Sequence, residues 1–364
     1  MLTLLANDDG GVHQGLALTV CGAVADNRYD GWFSESRGGD RVEFEWDGIL
    51  RGTEYYYHLP YPTEQKGPSG HHYQYPIYTS FRSWSFPLSL FESGRAQGSA
   101  AEQLVYQWTH RLACSSSRLR IPRSTSAARL QVHIRDEEAC RITGYEDHCE
   151  VAHVIPAGES EWFKKQDMHR FLPESDSQGV HSSSNCMLLR RDLHTAYDDR
   201  SLTFFPKRGK YVASCLLLTI NIEAENHNRE LRDVSAIPWP FHFSRLVWQM
   251  IPGVRRFLSK GIARRVVRTD PETGDVKRDL ATGPECMILG LQRPSSRKRK
   301  IKSLSPALAS GDESSLSQDY PSDDEEDEDY LRERGRKRKR TAKGDPDLSD
   351  ASSTTTVSAQ SRVR

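Results

Sequence analysis

The sequence lacks a surplus of charge of either sign. Fifty Lys and Arg stand against fifty Asp and Glu over 364 residues. That excludes a uniformly basic nucleic-acid coat and confines any contact with a polyanion to a local patch. No run of 18 or more apolar residues is present, so no membrane-spanning helix is expected. Paired Cys-x-x-Cys spacing is also absent. The seven cysteines are odd in number and scattered from Cys21 to Cys286, which suits free thiols in a reducing compartment. Cys140 and Cys149 lack the spacing of a structural zinc site and read as packed thiols. Apolar residues make up only 36% of the chain. Much of the deficit falls in residues 293–364, where 16 Lys/Arg and 14 Asp/Glu alternate in blocks, leaving a near-neutral 34 against 36 for residues 1–292.

What is present divides the chain into five segments of an α+β protein. Residues 1–100 read as β-rich, from the alternation of Val42, Phe44 and Trp46 and the aromatic run Tyr55 to Tyr57. Gly15–Ala25 imitates a signal-peptide core, but Asp8 and Asp9 precede it and no positive charge does, so a buried strand is the better reading. Residues 61–100 look loop-like; His71 and His72 sit there with no third ligand at metal-site spacing. Residues 101–139 form a helical lead-in, EQLVYQWTHRLA and SAARLQVHIRDEEA, with Leu130, Ile134 and Val132 as candidates for an apolar face. After the distinctive segment 140–206, residues 207–292 continue a hairpin, SLTFF and YVASCLLLTINI around PKRGK. A helix over Phe241–Val267 follows, interrupted at Pro252, with Leu246, Val247, Met250, Val254, Phe257 and Leu258 facing the core. The tail 293–364 carries basic clusters at Arg297–Lys300 and Arg336–Arg340 around an acidic run from Asp323 to Asp329. Disorder is expected of such blocks, and the clusters match signals read by a nuclear import receptor.

Segment 140–206 holds the chemistry. CRITG comes first, then EVAHVIP, then Asn185 in NCMLLRRDLH, then HTAYDD. Asp192 has the character of an N-cap, so a short helix should start at Leu193 and project His194 and Asp198 from one face, where an imidazole and a carboxylate can share one divalent cation. EVAHVIP, with β-branched residues around His153 and Pro156 to end it, suits a strand facing that helix.

Taken together, Cys140, Thr143, Gly144, Ala152, His153, Val154, Pro156, Asn185, Leu189, Asp192, Leu193, His194, Tyr197 and Asp198 resemble the HNH nuclease family, in a branch common in fungi, over about 70 residues. The resemblance implies a ββα-metal module and a metal-dependent endonuclease. His153 would be the general base, since an unperturbed imidazole titrates near 6.5. Asn185 would hold the loop that orients His153, and His194 with Asp198 would bind the metal. Magnesium or manganese is expected there, with zinc as an alternative. Arg190 and Arg191 would contact phosphates of DNA, or of RNA. One departure is Ala152, where many relatives place a metal-binding Asp or His; Glu150, on the same strand face, is the candidate to compensate. A catalytically degenerate nuclear scaffold is the competing expectation, and oligomeric state has no signal.

Overall fold

The computed structural model describes residues 2–60, 75–92, 99–109, 125–173, 176, 178–270 and 273–291. The expectations for His71, His72 and the charged tail 293–364 lie outside them. Helices and short sheets are both present, giving the expected α+β class.

Gly15–Ala25 is not a strand. Gln14–Val24 forms a helix in which every residue but Cys21 is buried. Burial all round erases the periodicity that would have marked it, and eleven residues is long for a strand. Its glycines allow close approach: a Cβ on Gly15 would meet the Trp46 ring at 2.8 Å. The β-rich expectation for residues 1–100 is met only in fragments. Val12–His13 pairs with Ile49–Leu50, and Trp32–Ser34 with Tyr56–His58. The alternation of Val42, Phe44 and Trp46 marks packing without a ladder. Val42 and Phe44 are partly buried and Trp46 is fully so, but glutamine side chains take the backbone groups a partner strand would have used. Glu45 N donates to Gln14 Oε1 and Trp46 N to Gln103 Oε1, both at 3.0 Å. The stretch expected to be loop supplies Phe81, Trp84 and Phe86 to the main core, where Trp84 stacks on Trp162 at 5.6 Å.

The two lead-in helices form at Ser99–Thr109 and Thr125–Arg135. Of the face expected on the second, only Val132 is buried. Leu130 and Ile134 are about half exposed, whereas Ala128 and Val132 are buried. Just beyond its end, the buried Asp136 carboxylate accepts from Leu188 N at 2.8 Å, so Ala128, Val132 and Asp136, four residues apart, turn inward. Downstream, Leu202–Lys207 and Lys210–Cys215 make the expected hairpin, turning through positive φ at Arg208 and Gly209. The end of the run read as strand, Ile220–Ile222, instead opens a helix that continues to Asn226. The helix expected over Phe241–Val267 covers Trp239–Met250 and Val254–Leu258, broken around Pro252. Arg264–Thr269 then forms a strand between Ile77–Tyr78 and Val276–Ala281, as β-branched Val266, Val267 and Thr269 favour.

Candidate active site

Two antiparallel arms and a helix carry the motif. Cys149–His153 pairs with Cys186–Arg190 in a register that sets Cys149 opposite Arg190 and His153 opposite Cys186. The helix Arg191–Asp198 follows the second arm without a break. CRITG lies against the arms: Arg141 N donates to Leu188 O at 2.9 Å, and Gly144, at φ +75°, closes a turn with its N–H on Cys140 O at 2.8 Å. That turn accounts for the glycine. Cys140 is buried and Cys149 half-buried, both as free thiols.

The site helix begins at Arg191, earlier than an Asp192 N-cap implies. Asp192 lies in the first turn and takes Arg190 through both carboxylate oxygens, at 2.7 and 2.8 Å. That pairing lowers the pKa of the Asp192 carboxyl and competes with capping. His194 projects from the helix into a nearly closed setting. Its Nδ1 lies 3.0 Å from Glu150 Oε2 and its Nε2 3.3 Å from Asp198 Oδ2, one helical turn on. Glu150 reaches the helix because it shares its strand face with Ala152, which is fully buried. The other Glu150 oxygen accepts from Arg191 Nε at 2.5 Å.

Asn185 stands at the foot of the second arm and is fully buried. Its Oδ1 accepts from Ile155 N at 2.9 Å, and its Nδ2 donates to Ile155 O at 2.9 Å and Val180 O at 2.7 Å. Its backbone O accepts from Val154 N at 2.7 Å. Asn185, through its side chain and its backbone oxygen, thus clamps the two residues after His153 to the loop that returns the chain. His153 is half-buried at the end of the first arm, edge-to-face with His181 at 5.4 Å between ring centroids. His181 comes from the stretch between the arms, at the end of the short turn Gly179–His181.

Arg245 is the residue that sequence reasoning missed. It is 1% exposed and sits on the helix Trp239–Met250. Its Nη2 donates to Tyr197 O at 2.5 Å and Asp198 Oδ1 at 3.3 Å, and its Nη1 to Val154 O at 3.3 Å and His153 O at 3.5 Å. The guanidinium also covers the Tyr197 ring, 3.7 Å from its centroid. One cation therefore ties the end of the first arm to the last turn of the site helix, where a helix dipole favours positive charge. Gln249, one turn on, donates to Tyr197 O and Leu202 O. The signal was available: His242, Arg245 and Gln249 are polar interruptions at helical spacing in a stretch otherwise rich in apolar residues. Burial works to raise the Asp198 pKa, but His194 and Arg245 outweigh it and hold the carboxyl below its usual value.

Two of these side chains could hold a divalent cation between them. A separation of 3.3 Å between His194 Nε2 and Asp198 Oδ2 is that of neighbouring ligands, each about 2.0–2.2 Å from a shared small cation. Glu150 on Nδ1 is the outer carboxylate that commonly orients a ligating histidine. Among the described residues no group of three or more His, Cys, Asp or Glu side chains forms a metal site. A pair of protein ligands would leave the rest of a cation's shell to water or substrate.

The sequence profile described as HNH endonuclease matches residues 140–204. No curated protein and no solved structure matches the chain.

Proposed function

We infer, from an HNH endonuclease domain at residues 140–204, that this chain hydrolyses phosphodiester bonds of a nucleic acid, with DNA the expected substrate and RNA the alternative. The observation that carries the reading is the coupling of His153 to the Glu150, His194 and Asp198 cluster through Arg245. In this mechanism His153 takes a proton from the attacking water, with the Asn185 clamp fixing the backbone that follows it. His194 and Asp198 would hold magnesium or manganese, which would polarise the scissile phosphate and stabilise charge on the departing oxygen. Glu150 keeps the His194 ring oriented, and Arg245 keeps Asp198 in its charged form. No helix of the described residues is long and apolar enough to cross a membrane. Nuclear import through the two basic clusters of the tail belongs to the same reading.

Incubation of the purified chain with plasmid DNA and magnesium or manganese tests it. Cleavage is expected, and it should be lost in His153→Ala; cutting that persists unchanged in that variant refutes the assignment. A second reading, a catalytically silent binding module, is favoured by one observation: Ala152 is fully buried and offers no donor where relatives supply one. Calorimetric titration with magnesium, manganese and zinc separates the two: tight binding abolished by His194→Ala favours the enzyme, and no metal binding favours the silent module.

A further inference from the structure

The two arginines nearest the motif have intramolecular partners: Arg190 pairs with Asp192 and Arg191 with Glu150. Positive charge without such partners lies farther along the chain. From Val254 to Thr269 there are six Lys and Arg and no Asp or Glu, in a protein whose total charge is balanced. Arg268 is engaged by Asp279, and Arg264 lies over the Phe257 ring. Among the described residues Arg255, Arg256, Lys260 and Arg265 have no carboxylate partner; Arg255 is half-buried and the other three are exposed.

This run begins one short turn beyond Trp248, and Trp248 links it to the site. The Trp248 ring carries two guanidiniums, Arg200 at 4.0 Å and Arg245 at 4.6 Å from its centroid, and Arg245 in turn holds Asp198. The turn Ile251–Gly253 leads from the end of the Trp248 helix directly into the short helix of Arg255 and Arg256. The neighbouring carboxylate Glu159 is divided between Arg82 and the Trp248 indole N–H. Like charges gathered with so little to neutralise them weaken the folded chain, and a bound polyanion relieves them.

We propose that Arg200, Arg255, Arg256 and Lys260 form a phosphate-binding track that carries a nucleic-acid strand to the site at His194 and Asp198. The track rests on the nucleic-acid reading above and lies, except for Arg200, outside the matched segment. It supplies the local patch that a balanced chain needs to hold a polyanion.

The test is an anisotropy titration of a labelled DNA duplex with the full chain, in EDTA so that nothing is cut, over a series of salt concentrations. Single-stranded DNA and duplex RNA run as parallel arms identify which backbone the track takes. Removing one cation from a DNA phosphate flattens the slope of log affinity against log salt by about 0.9. The triple variant Arg255→Gln/Arg256→Gln/Lys260→Gln should therefore flatten it by about 2 to 3 and weaken binding at least tenfold near 0.1 M salt. Wild-type affinity and slope in that variant, or no binding of any nucleic acid by the wild type, overturns the proposal. Should the triple variant melt early, Arg256→Gln/Lys260→Gln, at two exposed positions, takes its place and should lose about 2 from the slope. The two readings fail separately. A chain that binds with this salt dependence but cuts nothing keeps the track and loses the hydrolysis, whereas one that cuts and binds normally as the triple variant does the reverse.

Discussion

Replacing Asn185 by alanine should loosen the site without unfolding the protein. The side chain makes three hydrogen bonds, to Ile155 N, Ile155 O and Val180 O, in a fully buried setting. Alanine fills none of those roles. A buried polar group left without its partner costs about 1–3 kcal/mol. The N–H of Ile155 bears the full penalty, and the two carbonyls a smaller one because each has a second lone pair. A total of about 3–5 kcal/mol follows on that scale, a large share of the roughly 5–15 kcal/mol by which domains are stable, yet short of unfolding a well-packed one. Asn185→Asp should do no better, because it keeps the acceptor for Ile155 N but sets an oxygen against two carbonyl oxygens. Urea titration followed by tryptophan fluorescence measures the stability, and single-turnover cleavage in the absence of urea measures the chemistry. Since misplacing a reacting group by about 1 Å costs on the order of a hundredfold in rate, the cleavage rate should fall by about that much while the variant remains folded. A stability loss below about 1 kcal/mol together with wild-type cleavage would refute the clamp.

His242 gives a pH-dependent prediction. It is buried with no hydrogen-bond partner for either ring nitrogen among the described residues, and burial lowers its pKa to about 3. The unfolded chain, titrating near 6.5, takes up the proton first, so stability is whole above about pH 6.5 and falls by about 1.4 kcal/mol per unit as pH drops toward 3. Urea midpoints at pH 7 and pH 5 should therefore lie closer together in His242→Phe than in the wild type, and an equal spacing contradicts the assignment. Glu150→Gln removes the carboxylate from His194 Nδ1 and from Arg191. Calorimetry should show divalent-cation affinity weakened by about 10- to 100-fold, the usual effect of losing an outer carboxylate, and unchanged affinity argues against Glu150 as the orienting group.

The parts of the site legible in the sequence are those set by local spacing. His194 and Asp198 meet because four residues make one helical turn, Glu150 and Ala152 share a face because strands alternate, and Gly144 marks a turn because its φ is positive. What was illegible depends on distant partners. The helix Gln14–Val24 is buried on every side, so it shows no stripe to read. Leu130 and Ile134 form a plausible apolar face, yet the buried Asp136 carboxylate on Leu188 N selects the opposite one. Asp192 has the chemistry of a cap, and Arg190, two residues earlier, takes its carboxylate instead. Val42, Phe44 and Trp46 alternate correctly for burial, but two glutamines occupy the backbone groups a partner strand would need.

Arg245 illustrates why the matched segment does not by itself make the site. A buried guanidinium is costly unless its charge and its donors are all met nearby. Here the two terminal nitrogens are met by the last turn of the site helix, the end of the first arm and Asp198, while Nε has no hydrogen-bond partner among the described residues, so the cost is offset only when those three pieces stand together. The helix that carries Arg245 lies beyond residue 204 and is packed in the same core as Trp84 and Trp108, through Phe243, which draws the N-terminal half of the chain into holding the site. The carboxylate of Asp198 is divided accordingly. Oδ1 is turned to Arg245, which helps hold the group ionised, while Oδ2 is turned to His194, so the buried arginine and a cation of the kind proposed at His194 would share one negative charge without contending for the same oxygen.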